Sequence, residues 1–219
     1  MTKAHAEVAR LFNASLGSVG NVGEEVYPGY PGLVVAAPSA GGGQQTSAGG
    51  CEARTLELRS MVWGFPLVLK GKNGQPLKPK PVNNARADKL DNFMWRYSFQ
   101  ERRCLIPLTA FAEAEGEKGA KTRTWFTLPD QEVFAAAGLW RDTPEWGPAY
   151  TMVMTEACQH VADVHDRMPV ILKRGDWDTW LDCAPGSEAE PKDHKAGLLC
   201  RPYPELMVCE RTPESWVRR

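Results

Sequence analysis

An imidazole, a carboxylate and a guanidinium follow one another at His165, Asp166 and Arg167, just ahead of Met168-Pro169 and the apolar run Val170-Ile171-Leu172. An imidazole titrates near neutrality and can pass protons, while a guanidinium grips carboxylates or phosphates. Pro169 restricts Met168 to extended geometry, so His165 and Arg167 fall on a turn leading into a strand, where alternate side chains face the same way. The competing reading is a structural histidine beside a surface arginine. Upstream, Glu113 closes the uncharged stretch Cys104-Leu105-Ile106-Pro107-Leu108-Thr109-Ala110-Phe111-Ala112. Desolvation there raises a carboxyl pKa toward the range of a general acid or base. By alternation Glu113 and Glu115 share a face, so a solvent-facing pair competes with that reading. Asn84 and Arg86 alternate in the same way, which puts an amide and a guanidinium on one side of an extended segment.

The elements that must position these groups can be read in order. Thr2 caps a helix expected to run to about Leu16, with Val8, Leu11 and Phe12 on one face. Gly32 to Ala36 reads as a buried strand, and Pro38 to Gly50 as a Gly/Ser/Gln-rich surface loop. The Gly41-Gly42-Gly43 run in that loop lacks the Lys-Ser/Thr and the helix start that a P-loop needs. Arg54 to Trp63 alternates and then turns apolar, a strand ended by Gly64 and Pro66. Leu67 to Pro81 is an extended basic loop. Lys89 to Phe99 is a short helix that places Leu90, Phe93, Met94 and Tyr97 in the core. Strands follow at 102–108, 111–115, 122–128, 133–140 and 149–155, then a helical turn over 158–164, a helix begun by Asp176, and a strand over 206–209. Strands grouped with few helices predict the α+β class: a mixed, mostly antiparallel sheet, curled or barrel-like, with a few flanking helices in one domain over 1–219.

At 219 residues and 42% hydrophobic content the chain can bury a real core. Net charge is −1, but 54–103 holds 11 Lys and Arg against 4 Asp and Glu, a net +7, which leaves 15 against 23, or −8, elsewhere. Such a basic region suits an anionic partner. The six cysteines form no Cys-x-x-Cys pair, and His160 and His165 are five apart, the wrong interval for two ligands on one helical face. No metal and no cofactor is expected. Cys104, inside an apolar strand, reads as inert, and Cys158, near His160 and His165, as the thiol to test for reactivity. With no apolar leader and no membrane-length run, a cytoplasmic, monomeric protein without a membrane partner is expected.

Trp63-Gly64 with Pro66, then Asn84-Ala85-Arg86-Ala87, Arg103-Cys104-Leu105-Ile106-Pro107 running to Glu113, Ala137-Gly138-Leu139-Trp140, Met154-Thr155 and His165-Asp166-Arg167-Met168-Pro169 occur in the order of the SRAP family, the SOS-response-associated peptidases. The chain resembles that family from about Leu33 to Leu181. The resemblance implies a protein that recognises abasic sites in single-stranded DNA and links to them covalently. In that family, removal of the initiator methionine exposes a cysteine, whose α-amine condenses with the sugar aldehyde and whose thiol closes a thiazolidine. Carried over residue by residue, the catalytic groups are Asn84, Glu113 and His165, and the DNA-contacting groups are Arg86 and Arg167. Trp63 matches a tryptophan near the DNA path that stacks on a base or packs.

The sequence departs from the family's Met-Cys opening: it begins Met1-Thr2-Lys3, and no cysteine precedes Cys51. The expectation is that Met1 is an internal methionine of a longer reading frame. Two other readings stand beside abasic-site crosslinking. One is a cysteine peptidase acting on its own N-terminus, and the other is a non-covalent single-stranded-DNA-binding domain.

Overall fold

The computed structural model describes residues 4–38, 55–182 and 195–216. The expected Thr2 cap, most of the Pro38 to Gly50 loop, Cys51 and Cys183 lie outside the described residues. In chain order the elements are α1 (His5–Leu11), β1 (Ser15–Leu16), β2 (Pro31–Ala36), β3 (Glu57–Trp63), β4 (Phe65–Leu67), β5 (Lys80–Val82), β6 (Asn84–Arg86), α2 (Arg96–Glu101), β7 (Arg103–Leu108), β8 (Phe111–Glu115), β9 (Thr122–Thr127), β10 (Phe134–Thr143), β11 (Gly147–Glu156), β12 (Arg167–Pro169), β13 (Ile171–Leu172), α3 (Trp177–Leu181) and β14 (Val208–Ser215).

The expected curled or barrel-like sheet is present as a closed one. Antiparallel pairs run β3–β2–β7–β10–β11, and a short parallel contact, Ala149 with Val62 and Tyr150 with Trp63, joins β11 back to β3. Five strands thus form a ring. Contacts between strands that are not neighbours identify the lumen. Arg59 of β3 lies over the Trp140 ring of β10, 4.4 Å from its centroid, and a side chain at Gly32 of β2 would meet the Tyr150 hydroxyl of β11 at 2.2 Å. Gly138, two residues before Trp140 on β10, faces the same way, and a Cβ there would come within 2.7 Å of Cys104 Sγ and 2.9 Å of Ile106 on the neighbouring β7. The outward residues Leu33, Val35, Leu105, Leu139 and Val153 pack with Val8 of α1, Phe12 at its C-terminal end, Phe99 of α2 and Trp180 of α3. With both faces covered, β10 and β11 read as continuous apolar runs.

Arg103 is buried on this outer side. Its guanidinium donates to the carbonyls of Phe99, Trp180 and Asp182 and so ties α2 and α3 to β7. A second, three-stranded antiparallel sheet, β14–β9–β8, carries Glu113 opposite Thr124 and is anchored by the stacked Phe111 and Phe126 rings, 5.1 Å apart.

Two expected helices differ from the structure. α1 stops at Leu11 because Asn13 takes a left-handed φ of 51°, and Ser15 and Leu16 then pair with β3 as a strand. The segment 87–101 is a 3-10 turn followed by the short α2, so the spacing that put Phe93 and Tyr97 on a core face does not hold. Phe93 is 89% exposed and Tyr97 50%, while Leu90, Trp95 and Phe99 fill the core. Among the described residues, no helix is long and apolar enough to cross a membrane, and no His/Cys/Asp/Glu group is arranged to hold a metal ion.

Candidate active site

Gly64, at φ 111°, turns the chain out of β3, and its N–H donates to the Tyr150 carbonyl at 2.7 Å. A Cβ there would strike Pro81 at 2.5 Å, so this turn requires glycine. Trp63, just before it, donates from Nε1 to the Asn83 carbonyl at 3.0 Å and lies nearly parallel to Tyr150, ring centroids 6.5 Å apart. The tryptophan thereby braces the backbone that presents Asn84. β6 pairs in parallel with β11, Asn84 beside Met152 and Arg86 beside Met154, with Ala85 fully buried between two exposed side chains. The expected shared face of Asn84 and Arg86 is therefore present.

Trp63, Asn84 and Glu113 line one cavity of about 750 Å³, together with Trp125, Met152 and Met154. Arg86 and Arg167 line another, of about 940 Å³, with Asp88, Glu156, Asp166 and Arg201. Met154 lines both, because it sits between Arg86 of β6 and Pro169 of β12. The alternating pair Asn84 and Arg86 thus serves two adjoining hollows rather than one.

Glu113 is half-buried, and its carboxyl is pushed up to about 7. Burial is the main cause; the neighbouring Asp166 adds to it, and His165 and Lys121 pull in the opposite direction. Glu113 therefore feels the charges of the His165-Asp166 turn. Two positions along the same strand, Glu115 accepts from Thr124 Oγ1 at 2.5 Å and from Arg211 Nε at 3.0 Å, which hold its carboxyl below the usual range. Both carboxyls are partly buried, so the solvent-facing pair is not what the strand presents. A carboxyl raised by burial in a cavity wall is a candidate proton donor near neutrality.

His165 ends a turn in which its own N–H donates to the Val161 carbonyl at 3.0 Å. Its Nδ1 accepts from the Arg167 N–H at 3.0 Å, which in the neutral ring leaves the proton on Nε2. In the charged ring Nδ1 can donate to the Arg167 carbonyl at 3.0 Å or to Asp166 at 3.3 Å. The backbone around Arg167 therefore fixes the imidazole in either state. Arg167 itself lies 3.8 Å from Asp166, and Arg86 is held bidentately by Asp88 at 2.8 and 2.6 Å.

Cys158 does not answer to the reactive-thiol expectation. It is buried with Sγ 3.9 Å from Met207 Sδ, and its N–H points to Met168 Sδ at 3.3 Å, a sulfur-lined pocket rather than a histidine. One part of the cavity rim had no sequence signal. Arg123 of β9 donates to Glu25 at 3.0 Å, Glu214 at 3.3 Å and the Tyr27 hydroxyl at 2.9 Å, and Tyr27 donates to Glu25. This cluster fastens the 22–28 segment and β14 beside the cavity, across some 90 residues of sequence.

The model of the SOS response associated peptidase (SRAP) family matches residues 1–214. The chain belongs to the SRAP family. A Bacillus subtilis (strain 168) protein named abasic site processing protein YoqW is 35% identical over 105 residues, 45% of this SRAP chain and 47% of the relative, and YoaM of the same organism is 33% identical over 105 residues, 45% and 46%. The SRAP chain thus spans about half the length of the curated relatives it matches. Among solved structures, a Bordetella bronchiseptica protein superposes with a TM-score of 0.69 over 96% of both chains at 23% identity. A Bacteroides thetaiotaomicron protein gives 0.55 over 73% of this chain and 74% of that one, at 20% identity. Both share the fold.

Proposed function

We propose that this SRAP chain processes abasic sites in single-stranded DNA, with the base-less sugar entering the 750 Å³ cavity and the neighbouring phosphates held by Arg86 and Arg167. The observation that carries the reading is an aromatic-walled cavity that brings Trp63 and Asn84 together with the Glu113 carboxyl, which burial pushes up to about 7, and that adjoins the arginine-bearing cavity. The names of the Bacillus relatives point the same way.

In the covalent form of the proposal, the amine and thiol of an N-terminal cysteine are the reacting groups. The amine attacks the C1 aldehyde of the ring-opened sugar to give a carbinolamine. Protonated Glu113 donates to the leaving hydroxyl, which departs as water and leaves an imine. The thiol then adds to the imine carbon, its proton passes to the ring nitrogen or a basic neighbour, and a thiazolidine closes. A carboxyl near 7 is present in both protonation states at neutral pH, so Glu113 can act as acid in one step and base in the next. His165, fixed at Nδ1, presents Nε2 for the second transfer, and Asn84 orients the sugar or the amine.

Fluorescence anisotropy with one oligonucleotide, intact or carrying a single abasic site, tests the reading. Binding about tenfold tighter to the abasic strand, or about 1.4 kcal/mol, is expected. Asn84→Ala should narrow that preference, whereas Arg86→Ala and Arg167→Ala should weaken both complexes alike, because phosphate contacts carry no information about the missing base. Equal affinity for the two strands overturns the proposal.

A further inference from the structure

Between Trp63 and Asn84 the chain leaves the barrel and returns to it. β4 and β5 pair through Phe65 with Val82, Pro66 with Pro81 and Leu67 with Lys80. Beyond them the hairpin continues through Leu77 N–H to the Leu69 carbonyl at 2.8 Å and a bridge between Lys70 and Pro76, closing at Gly71–Gln75 with Gly74 at φ 78°. It is a built arm. Lys70, Lys72, Lys78 and Lys80 are all exposed on it, and residues 65–82 contain no Asp or Glu. Among the described residues, none of the four lysines makes an ion pair. Val68, Leu69 and Leu77 are also exposed, at 39%, 44% and 42%.

An isolated surface lysine needs no explanation, but four unneutralised ones on a single hairpin repel one another, which favours an anionic partner with several charges. The position of the arm says which partner. Its root, Lys80-Pro81, lines the same cavity as Trp63, Asn84 and Glu113, so the arm springs from the wall of that cavity and can meet a strand that leaves it on that side. The apolar side chains between the lysines offer surface to unpaired bases beside their own phosphates.

We propose that the Phe65–Val82 arm holds the single-stranded DNA flanking the lesion, with Lys70, Lys72 and Lys78 contacting successive backbone phosphates. This rests on the reading of the cavity as a DNA site. It adds a second, lesion-independent anchor outside Arg86 and Arg167.

The test is the salt dependence of binding to an intact single-stranded oligonucleotide, followed by anisotropy. Each phosphate contact to a single strand contributes about −0.7 to the slope of log K against log salt, so three contribute about −2. The triple variant K70Q/K72Q/K78Q should therefore lose about 2 from the slope, and its deficit against the parent chain should be about 16-fold larger at 50 mM than at 200 mM salt. Lys80 is left in place because it lines the cavity. The triple lysine-to-arginine variant should restore the slope, and a parent-like thermal melt of K70Q/K72Q/K78Q excludes misfolding as the cause. If the parent binds and K70Q/K72Q/K78Q keeps its slope, the arm carries no strand and this inference fails alone. If the parent itself does not bind, the DNA reading of the cavity fails with it.

Discussion

Glu113→Gln should make the protein more stable above neutral pH and leave it unchanged in mild acid. The folded carboxyl sits at about 7 against an ordinary 4.5, a gap of 2.5 units that arises chiefly from burial. Between those values the native state holds a proton that the unfolded chain has lost, so stability falls as pH rises through the window and levels off above about pH 8. At 1.36 kcal/mol per unit the ceiling is about 3.4 kcal/mol, and partial solvent access at a half-buried group reduces it to about 1–2 kcal/mol. Glutamine keeps the shape and carries no charge. Its advantage should be near zero at pH 4.5 and open to about 1–2 kcal/mol by pH 8, or roughly 2–8 °C in Tm for a chain of this size. Urea or thermal melts of both proteins at half-unit pH intervals measure it. A parent chain equally stable at pH 5 and pH 8, with Glu113→Gln conferring nothing at pH 8, would refute the elevated carboxyl and the acid role built on it.

Four other outcomes follow from the geometry. Asp88→Asn releases Arg86 from its bidentate partner and should tighten single-stranded DNA binding up to about fivefold, the range of an exposed ion pair; weaker binding by anisotropy contradicts the placement of Arg86. Arg103→Met removes the donor to the carbonyls of buried Phe99 and Trp180 and to that of exposed Asp182, and should cost about 3 kcal/mol in urea denaturation; a loss under 1 kcal/mol would show that those contacts are dispensable. Gly138→Ala pushes a methyl against Cys104 and Ile106 in the barrel lumen and should cost about 1–3 kcal/mol with an unchanged m-value. Trp63→Phe loses the bond to the Asn83 carbonyl, so it should erode abasic-strand preference more than affinity for intact DNA, as read in paired anisotropy titrations.

The strands were legible wherever one chemical pattern held. Pro31–Ala36, Phe111–Glu115 and Gly147–Glu156 fall within a residue or two of the runs that announce them, since apolar stretches bounded by Gly and Pro have few other places to go. The Trp63-Gly64 turn was equally visible. A curled or barrel-like sheet was expected from the grouped strands, but not which strands close it, because closure depends on Tyr150 pairing with Trp63, nearly 90 residues away, and no local pattern encodes a partner at that distance. Arg103 read as part of a motif, and only its three carbonyl partners reveal a structural arginine. The Lys89 to Phe99 pattern misled for a physical reason: Trp95 and Phe99 supply enough buried surface for the short α2, and Phe93 is left in solvent. At the site, Glu113 stood out because an uncharged run surrounds it, whereas the Arg123–Tyr27–Glu25 fastening joins residues that carry no mutual signal.

The most direct test of the account is denaturing gel electrophoresis after mixing a chain that opens Met-Cys with single-stranded DNA carrying one abasic site. An adduct that survives boiling, is absent from intact DNA and forms more slowly with Glu113→Gln and with His165→Ala is the predicted result. A chain that leaves the abasic strand free, or that links to intact DNA as readily, would contradict it.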